Sequence, residues 1–289
     1  MKHTLRAVLA GGDIRQVYLG QLLLQHGIQT QTVGLERETQ LPICSDMREA
    51  FSNSDVIILP LPVTREKSRL NAPLANKPYP LTAVLDAIPA NKPVYGGAVP
   101  KMVHDMAARR GIQVRDYLER EELALLNAIP TAEGAIQIAL EELPVTLHDL
   151  SILILGAGRI GSALAPRLRG LGARVTVAAR KHSDLARLYS EGYQTIHSEQ
   201  LNGALHDFPL IINTIPYPIL TRAVLADCQP EVCIIDLASG NGGIAEDAQN
   251  IRHVIHALSL PGRAAPKTAA CAIYQTICHM LKEEGLLWA

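Results

Sequence analysis

Residues 151–171 constrain this chain more than any other stretch. Ser151-Ile152-Leu153-Ile154-Leu155 is nearly all apolar, runs into Gly156-Ala157-Gly158-Arg159-Ile160-Gly161, and continues with apolar residues at helical spacing to Leu171. A short apolar run without alternation reads as a strand buried on both faces, as in a parallel sheet. The run predicts a strand over Ile152 to Leu155 and a helix over Ile160 to Leu171. Between them Gly156 permits a tight turn, Gly158 lets a ligand reach the backbone, and Gly161 lets the helix pack closely on the strand. The free amides and positive dipole end of that helix suit a diphosphate. A Gly-x-Gly-x-x-Gly match is weak alone; the apolar strand before it and the helix after it make it specific.

The same alternation continues downstream. Strands are expected at Arg174 to Ala178, Leu210 to Asn213, Val232 to Asp236 and His253 to Ile255, with a helix over Ser183 to Glu191. That order is the doubly wound signature. Enzymes of NAD place Asp or Glu at the end of the second strand to bind the ribose 2′-hydroxyl. Here Ala178-Ala179-Arg180-Lys181-His182-Ser183 offers Arg180, Lys181 and Ser183 instead. A guanidinium fork and an ammonium suit a 2′-phosphate, which points to NADP. Asn213-Thr214-Ile215-Pro216 follows the next strand, where the chain is expected to pass the nicotinamide ribose. Asp236-Leu237-Ala238-Ser239-Gly240 either faces the nicotinamide or holds Asp236 as a local cap.

The first half is expected to form a second open α/β sheet. Leu5 to Ala10 reads as a strand, followed by Gly11-Gly12-Asp13 and a helix up to Gly27. Further strands are expected near Ile28 to Val33, Val56 to Leu59, Val94-Tyr95 and Ile112 to Val114, with a helix over Lys101 to Arg110. Of the 18 prolines, Pro60, Pro62, Pro73, Pro78, Pro80, Pro89, Pro93 and Pro100 fall in one loop-rich stretch. Loops leaving the carboxyl ends of parallel strands are where such sheets bind ligands. Tyr117 to Glu142 is helical in pattern and reads as a connector interrupted at Ile129-Pro130. The chain therefore divides into a substrate and catalytic α/β domain (1–128), a Rossmann NADP-binding domain (129–265) and a C-terminal helix (266–289) packing back on the seam between them.

At 289 residues two cores are expected. Lys and Arg (27) nearly balance Asp and Glu (28), a net charge of −1, which excludes a nucleic-acid or anionic-lipid partner attracted by bulk charge. Read residue by residue, no unbroken apolar stretch reaches the roughly 18 residues of a membrane span, and the first nine residues lack a signal-peptide pattern. A cytoplasmic enzyme of a small molecule is the expectation. The cysteines Cys44, Cys228, Cys233, Cys271 and Cys278 are odd in number, contain no Cys-x-x-Cys and read as reduced thiols, with no metal.

Substrate contacts are sought at strand ends and in cationic loops. Gly12 and Arg15, after the first strand, can hold a carboxylate, unless Asp13 simply caps the helix. Leu258 to Thr268 places Arg263 and Lys267 in a Pro/Gly loop, two cations suited to a dicarboxylate, although such residues are commonly just solvated. Glu133, beyond Pro130, is the connector carboxylate expected to face the cleft. Hydride transfer needs a proton donor or acceptor; Asp13 is favoured, with His104 and His256 behind it.

Four segments together carry a likeness: Gly11-Gly12-Asp13 with Arg15-Gln16, the connector Arg120 to Gly134, the loop Leu155 to Gly161, and Pro261-Gly262-Arg263-Ala264-Ala265-Pro266-Lys267-Thr268-Ala269. Over nearly its whole length the chain resembles the family formed by the A subunits of dipicolinate synthase. The resemblance implies oxidation of a dihydrodipicolinate-type ring, formed from 4-hydroxy-tetrahydrodipicolinate, to dipicolinate with NADP⁺, during sporulation. It also implies the B subunit of dipicolinate synthase as a partner. Two alternatives stand beside it: a shikimate-type or 2-hydroxy-acid NADP dehydrogenase, whose usual Lys-Asp or His-Glu set is not seen, and a non-catalytic nucleotide-binding protein. A homodimer is a base-rate expectation.

Overall fold

The computed structural model describes residues 4–238, 242–248 and 253–287. Ser239 and Gly240, named above, lie outside the described residues. By its internal contacts the chain divides into two units, residues 1–126 with 266–289, and residues 127–265.

The first unit contains β1 (Arg6–Ala10), α1 (Ile14–Gln25), β2 (Gln29–Val33), α2 (Met47–Asn53), β3 (Val56–Ile58), α3 (Leu81–Ala87), β4 (Val94–Gly96), α4 (Lys101–Ala108) and β5 (Val114–Asp116). Its five strands are all parallel in the order β2-β1-β3-β4-β5. The order reverses direction between β1 and β3, so their diverging loops leave a crevice beyond the carboxyl ends of those strands. Ala7, Leu9, Val56 and Ile58 pack one face of the sheet, Val8, Ala10, Ile57 and Leu59 the other. This is the period-two alternation of strands buried on both sides.

The connector is one continuous helix, α5 (Glu121–Glu142), that runs through Pro130 without a break. Proline cannot donate to Leu126, yet the Thr131 hydroxyl donates to the Asn127 carbonyl at 2.7 Å, and Ala128, Ala132, Ala135 and Ala139 are buried. Packing of these small residues outweighs the local propensity of proline. Among the described residues α5 is the one helix apolar and long enough to cross a membrane by composition, and nearly half of its apolar stretch is buried in the chain's own packing.

The second unit contains β6 (Ser151–Leu155), α6 (Arg159–Gly170), β7 (Arg174–Ala179), α7 (His182–Ser190), β8 (Gln194–His197), β9 (Leu210–Asn213), β10 (Cys233–Asp236), β11 (His253–His256) and α8 (Leu260–Ala264). Its six strands are parallel in the order β11-β10-β9-β6-β7-β8, the doubly wound Rossmann order. The chain closes with α9 (Pro266–Glu283), which packs along α1 in the first unit through Ile273, Ile277 and Leu281. None of the five cysteines takes part in a disulfide, and burial pushes the Cys233 thiol up to about 11.

Candidate active site

The glycine loop is shaped by contacts that exclude a side chain at two of its three glycines. Gly156 has φ +107°, and a Cβ there would lie 2.3 Å from the Thr214 hydroxyl. That hydroxyl donates to the Leu155 carbonyl at 2.8 Å, and the Gly156 amide donates to the Ala178 carbonyl at 2.8 Å, so the ends of β6, β7 and β9 are tied together. A Cβ at Gly161 would lie 2.0 Å from the Gly156 carbonyl oxygen. Gly158 differs: it is the residue before α6, with no side-chain cap, and a Cβ there would meet no atom within 4 Å.

A cavity of about 580 Å³ opens over this loop. Its walls are Gly156, Ala157 and Gly158, the β7 end Ala179-Arg180-Lys181 with Asp184, Ser198 after β8, and Thr214, Ile215, Pro216, Tyr217 and Ile219 after β9. Arg180 and Lys181 are exposed. The turn that carries them is fixed by His197, whose Nε2 lies 2.8 Å from the Arg180 carbonyl and whose ring stacks on His182 at 5.1 Å. A glycine cradle under an uncapped helix start, with two cations at the second strand end, fits a nicotinamide dinucleotide. Such a cofactor, when bound, accepts or delivers a hydride.

Seven of the residues singled out for the cofactor line the cavity: Gly156, Ala157, Gly158, Arg180, Lys181, Thr214 and Ile215. Arg159, Ile160, Gly161 and Ser183 are not in its walls; Ile160 packs on the hydrophobic core and Gly161 sits under the loop. Asn213 is fully buried and committed locally: its amide donates to Asp236 Oδ1 at 2.8 Å and to the Ile215 carbonyl at 3.1 Å. Pro216, which follows Ile215 in the same strand-end segment, also lines the cavity; Asp184, Ser198, Tyr217 and Ile219 carry no motif in the sequence. Each lies a few residues beyond a strand end, and that position is the only signal that could have found them.

Asp236 ends β10 with 1% exposure. Its Oδ1 also accepts the Ala238 amide at 3.1 Å, its Oδ2 accepts the Gly243 amide at 2.9 Å, and His256 Nδ1 stands 3.6 Å from Oδ2. The His256 side chain is 58% exposed at the end of β11. A buried carboxylate thus backs an accessible imidazole.

In the first unit several expected substrate contacts turn inward. The Gly12 amide donates to the Asn71 carbonyl at 2.8 Å. Arg15 is buried, its Nε donating to Asp13 Oδ1 at 2.9 Å and one terminal nitrogen to Asp13 Oδ2 at 2.8 Å and the Leu61 carbonyl at 2.5 Å. Asp13 also caps α1 through the Arg15 amide. A buried guanidinium is stable only with such partners, so Gly12, Asp13 and Arg15 form a tie that holds the loops rather than donors aimed outward. His104 is half-buried on α4 beside the exposed ion pair of Lys101 and Asp105.

Three more expectations change. Glu133 is 59% exposed and lies 3.5 Å from Arg167 near the far end of α6, away from the glycine loop. Arg263 and Lys267 do not share a loop: Arg263 is on α8 and Lys267 on α9, whose ammonium lies 5.5 Å over the Tyr18 ring. The segment is helical because Pro261 occupies the first turn, where proline is tolerated. Among the described residues no three His, Cys, Asp or Glu side chains are grouped to share a metal ion.

Glu36, which follows β2, has no motif in the sequence to mark it. Burial pushes its carboxyl up, but the amides of Asn76 (3.0 Å) and Gly34 (3.1 Å), its own amide and the Tyr79 hydroxyl (3.3 Å) outweigh that and leave it below the usual carboxylate range. Tyr79 is pushed up to about 12 by burial and by Glu36.

Comparison with known proteins places both units. Residues 6–118 match the N-terminal domain of the dipicolinate synthase A subunit, and residues 129–249 match the D-isomer specific 2-hydroxyacid dehydrogenase NAD binding domain. The dipicolinate synthase A subunit of Bacillus subtilis is 31% identical over 96% of this chain and 96% of its own length. Solved structures of the dipicolinate synthase A subunits from Bacillus halodurans (TM-score 0.88, 28% identity, 96% and 97% covered) and Bacillus subtilis (TM-score 0.86, 31% identity, 98% and 97% covered) share the fold. With that identity over almost the full length of both chains, and a dehydrogenase NAD-binding unit, this chain belongs to the family of dipicolinate synthase A subunits and has an oxidoreductase fold.

Proposed function

We propose that the chain oxidises a dihydrodipicolinate-type ring, formed from 4-hydroxy-tetrahydrodipicolinate, to dipicolinate, with NADP⁺ as hydride acceptor. Family membership supports the reaction. The observation that carries the cofactor choice is the pair Arg180 and Lys181 in the wall of the cavity at the end of β7. Two cations against the single carboxylate of Asp184 leave that wall net positive, as a 2′-phosphate requires.

Bound NADP⁺ would supply a hydride acceptor, so that the ring could lose a hydride from one saturated carbon and a proton from the adjacent carbon, both losses driven by aromatisation. The glycine loop would hold the diphosphate, and Arg180 and Lys181 the 2′-phosphate. Of Asp13, His104 and His256, the group best placed to take the proton is His256, which is accessible and oriented by Asp236. The first unit carries the substrate. The reaction belongs to the cytoplasm of a sporulating cell and is completed with the B subunit. The inward commitment of Asp13 and Arg15 favours a second reading, in which the chain holds the nucleotide and a partner supplies part of the chemistry.

Calorimetric titration of NADP⁺ and NAD⁺ tests the cofactor assignment. Arg180→Gln and Lys181→Gln should each weaken NADP⁺ about tenfold, the worth of one charge-assisted contact, and leave NAD⁺ unchanged. Equal losses for both nucleotides, or a wild-type preference for NAD⁺, would overturn it.

A further inference from the structure

The loop that follows β3 holds none of the residues assigned to the cofactor or to proton transfer above, yet it builds a second cavity and is joined through Asn71 to the loop that follows β1. The strand order of the first unit reverses between β1 and β3, and ligands bind beyond the carboxyl ends of the strands at such a switch point. Asn71 joins the two diverging loops there. Its carbonyl accepts the Gly12 amide at 2.8 Å, its amide donates to the Val63 carbonyl at 2.8 Å, and its side chain donates to the Pro62 carbonyl at 3.1 Å. Leu70 donates to the Tyr79 carbonyl and Leu81 to the Ser68 carbonyl, each at 2.9 Å, so the loop is pinned from its far side as well.

Against this rigid frame lies a cavity of about 270 Å³ whose walls include Arg65, Glu66, Arg69 and Asn71. Arg65 is exposed, and no hydrogen bond or ion pair of its side chain occurs among the described residues. Arg69 meets Glu66 at 3.8 Å with both side chains more than half exposed. An exposed pair at that distance is weak and is readily exchanged for a better anion. Two guanidinia in one small preformed cavity, one uncommitted and one weakly paired, match the forked geometry that binds carboxylates.

We infer that this cavity is an anion subsite for a carboxylate of the substrate, with Arg65 and Arg69 as its binding residues and Glu66 as an occupant that the carboxylate displaces. The identification of the carboxylate as that of a pyridine-type dicarboxylate rests on the function proposed above; the cationic subsite itself rests on the cavity alone.

The test is calorimetric titration of the full chain at low salt with dipicolinate, and separately with succinate and malonate, in the wild type and in Arg65→Gln, Arg69→Gln and Glu66→Gln. Circular dichroism and thermal unfolding of each variant report an intact fold of the first unit. Each arginine substitution should weaken dipicolinate about tenfold, and Glu66→Gln should tighten it a few-fold, a change of sign that a damaged loop would not give. Dipicolinate binding that ignores all three substitutions overturns the subsite and leaves the proposed substrate standing. Binding of succinate or malonate that responds to them, with none of dipicolinate, supports the subsite and overturns the proposed substrate. No binding of any of the three anions overturns the subsite.

Discussion

Gly158→Ala and Gly161→Ala should fail in opposite ways. At Gly161 the added methyl would stand 2.0 Å from the Gly156 carbonyl oxygen, and the obstacle is backbone rather than a side chain that can rotate away. Relief requires α6 to move by more than about 1 Å from the loop. Overpacking of this kind costs about 1–3 kcal/mol, and a fixed backbone obstacle places it at the upper end. At about 2–4 °C per kcal/mol for a unit of this size, melting should fall by about 6–12 °C. At Gly158 φ is −78° and the methyl meets no protein atom within 4 Å, so neither strain nor clash arises. The cost to stability is a few tenths to about 1 kcal/mol, that of an altered helix start. The methyl instead occupies open space in the wall of the cavity, and NADP⁺ affinity should fall at least about tenfold. Thermal unfolding and calorimetric titration separate the two. A Gly158→Ala protein that binds like the wild type, or a Gly161→Ala protein that melts like it, would refute this account of the loop.

Other outcomes follow from the same geometry. Because the Glu36 carboxyl lies below its unfolded value of about 4.3, its stabilisation is full above that pH and is lost as pH falls through the folded value. Glu36→Gln should therefore lower stability at neutral pH and flatten the acid limb of a denaturation series; an unchanged acid limb would remove Glu36 from the account. Asp236→Asn places an amide where the carboxylate accepts from Asn213, Ala238 and Gly243. It should destabilise by about 1–3 kcal/mol in urea unfolding, and wild-type stability would show that these bonds are dispensable. His256→Gln should spare folding and NADP⁺ binding but slow NADPH formation by about 100-fold or more, the worth of a positioned proton acceptor; an unchanged rate would transfer the proton to another group.

Where local rules agree, the chain is readable. The strand, glycine turn and helix of residues 151–170 lie within a residue of their expected limits, because apolar run, glycine spacing and helical period coincide there. Most of the parallel strands are legible as apolar runs, but β8 is not: Gln194-Thr195-Ile196-His197 carries one apolar residue and lies at the edge of its sheet. The short α2 is not: Asp46 caps it, but only Ala50 and Phe51 of its seven residues are buried, too few to show a period. Pro130 and the Pro261 to Pro266 segment mislead for one reason, since proline signals a break locally whereas burial and first-turn placement permit a helix. At the site, the glycines and the strand-end cations are visible in the sequence. That Gly12, Arg15 and Asn213 spend their hydrogen bonds on neighbouring loops is not, because those acceptors lie as far off in sequence as Leu61, Asn71 and Asp236.

The central claim is tested most directly by NADPH formation from freshly generated 4-hydroxy-tetrahydrodipicolinate, with the purified chain alone and with its candidate smaller partner, comparing NADP⁺ with NAD⁺. The account predicts dipicolinate and NADPH in equal amounts, with NADP⁺ preferred and the preference lost in Arg180→Gln. Tight NADP⁺ binding without NADPH or dipicolinate, with the partner present, would contradict it and leave the chain as a holder of the nucleotide.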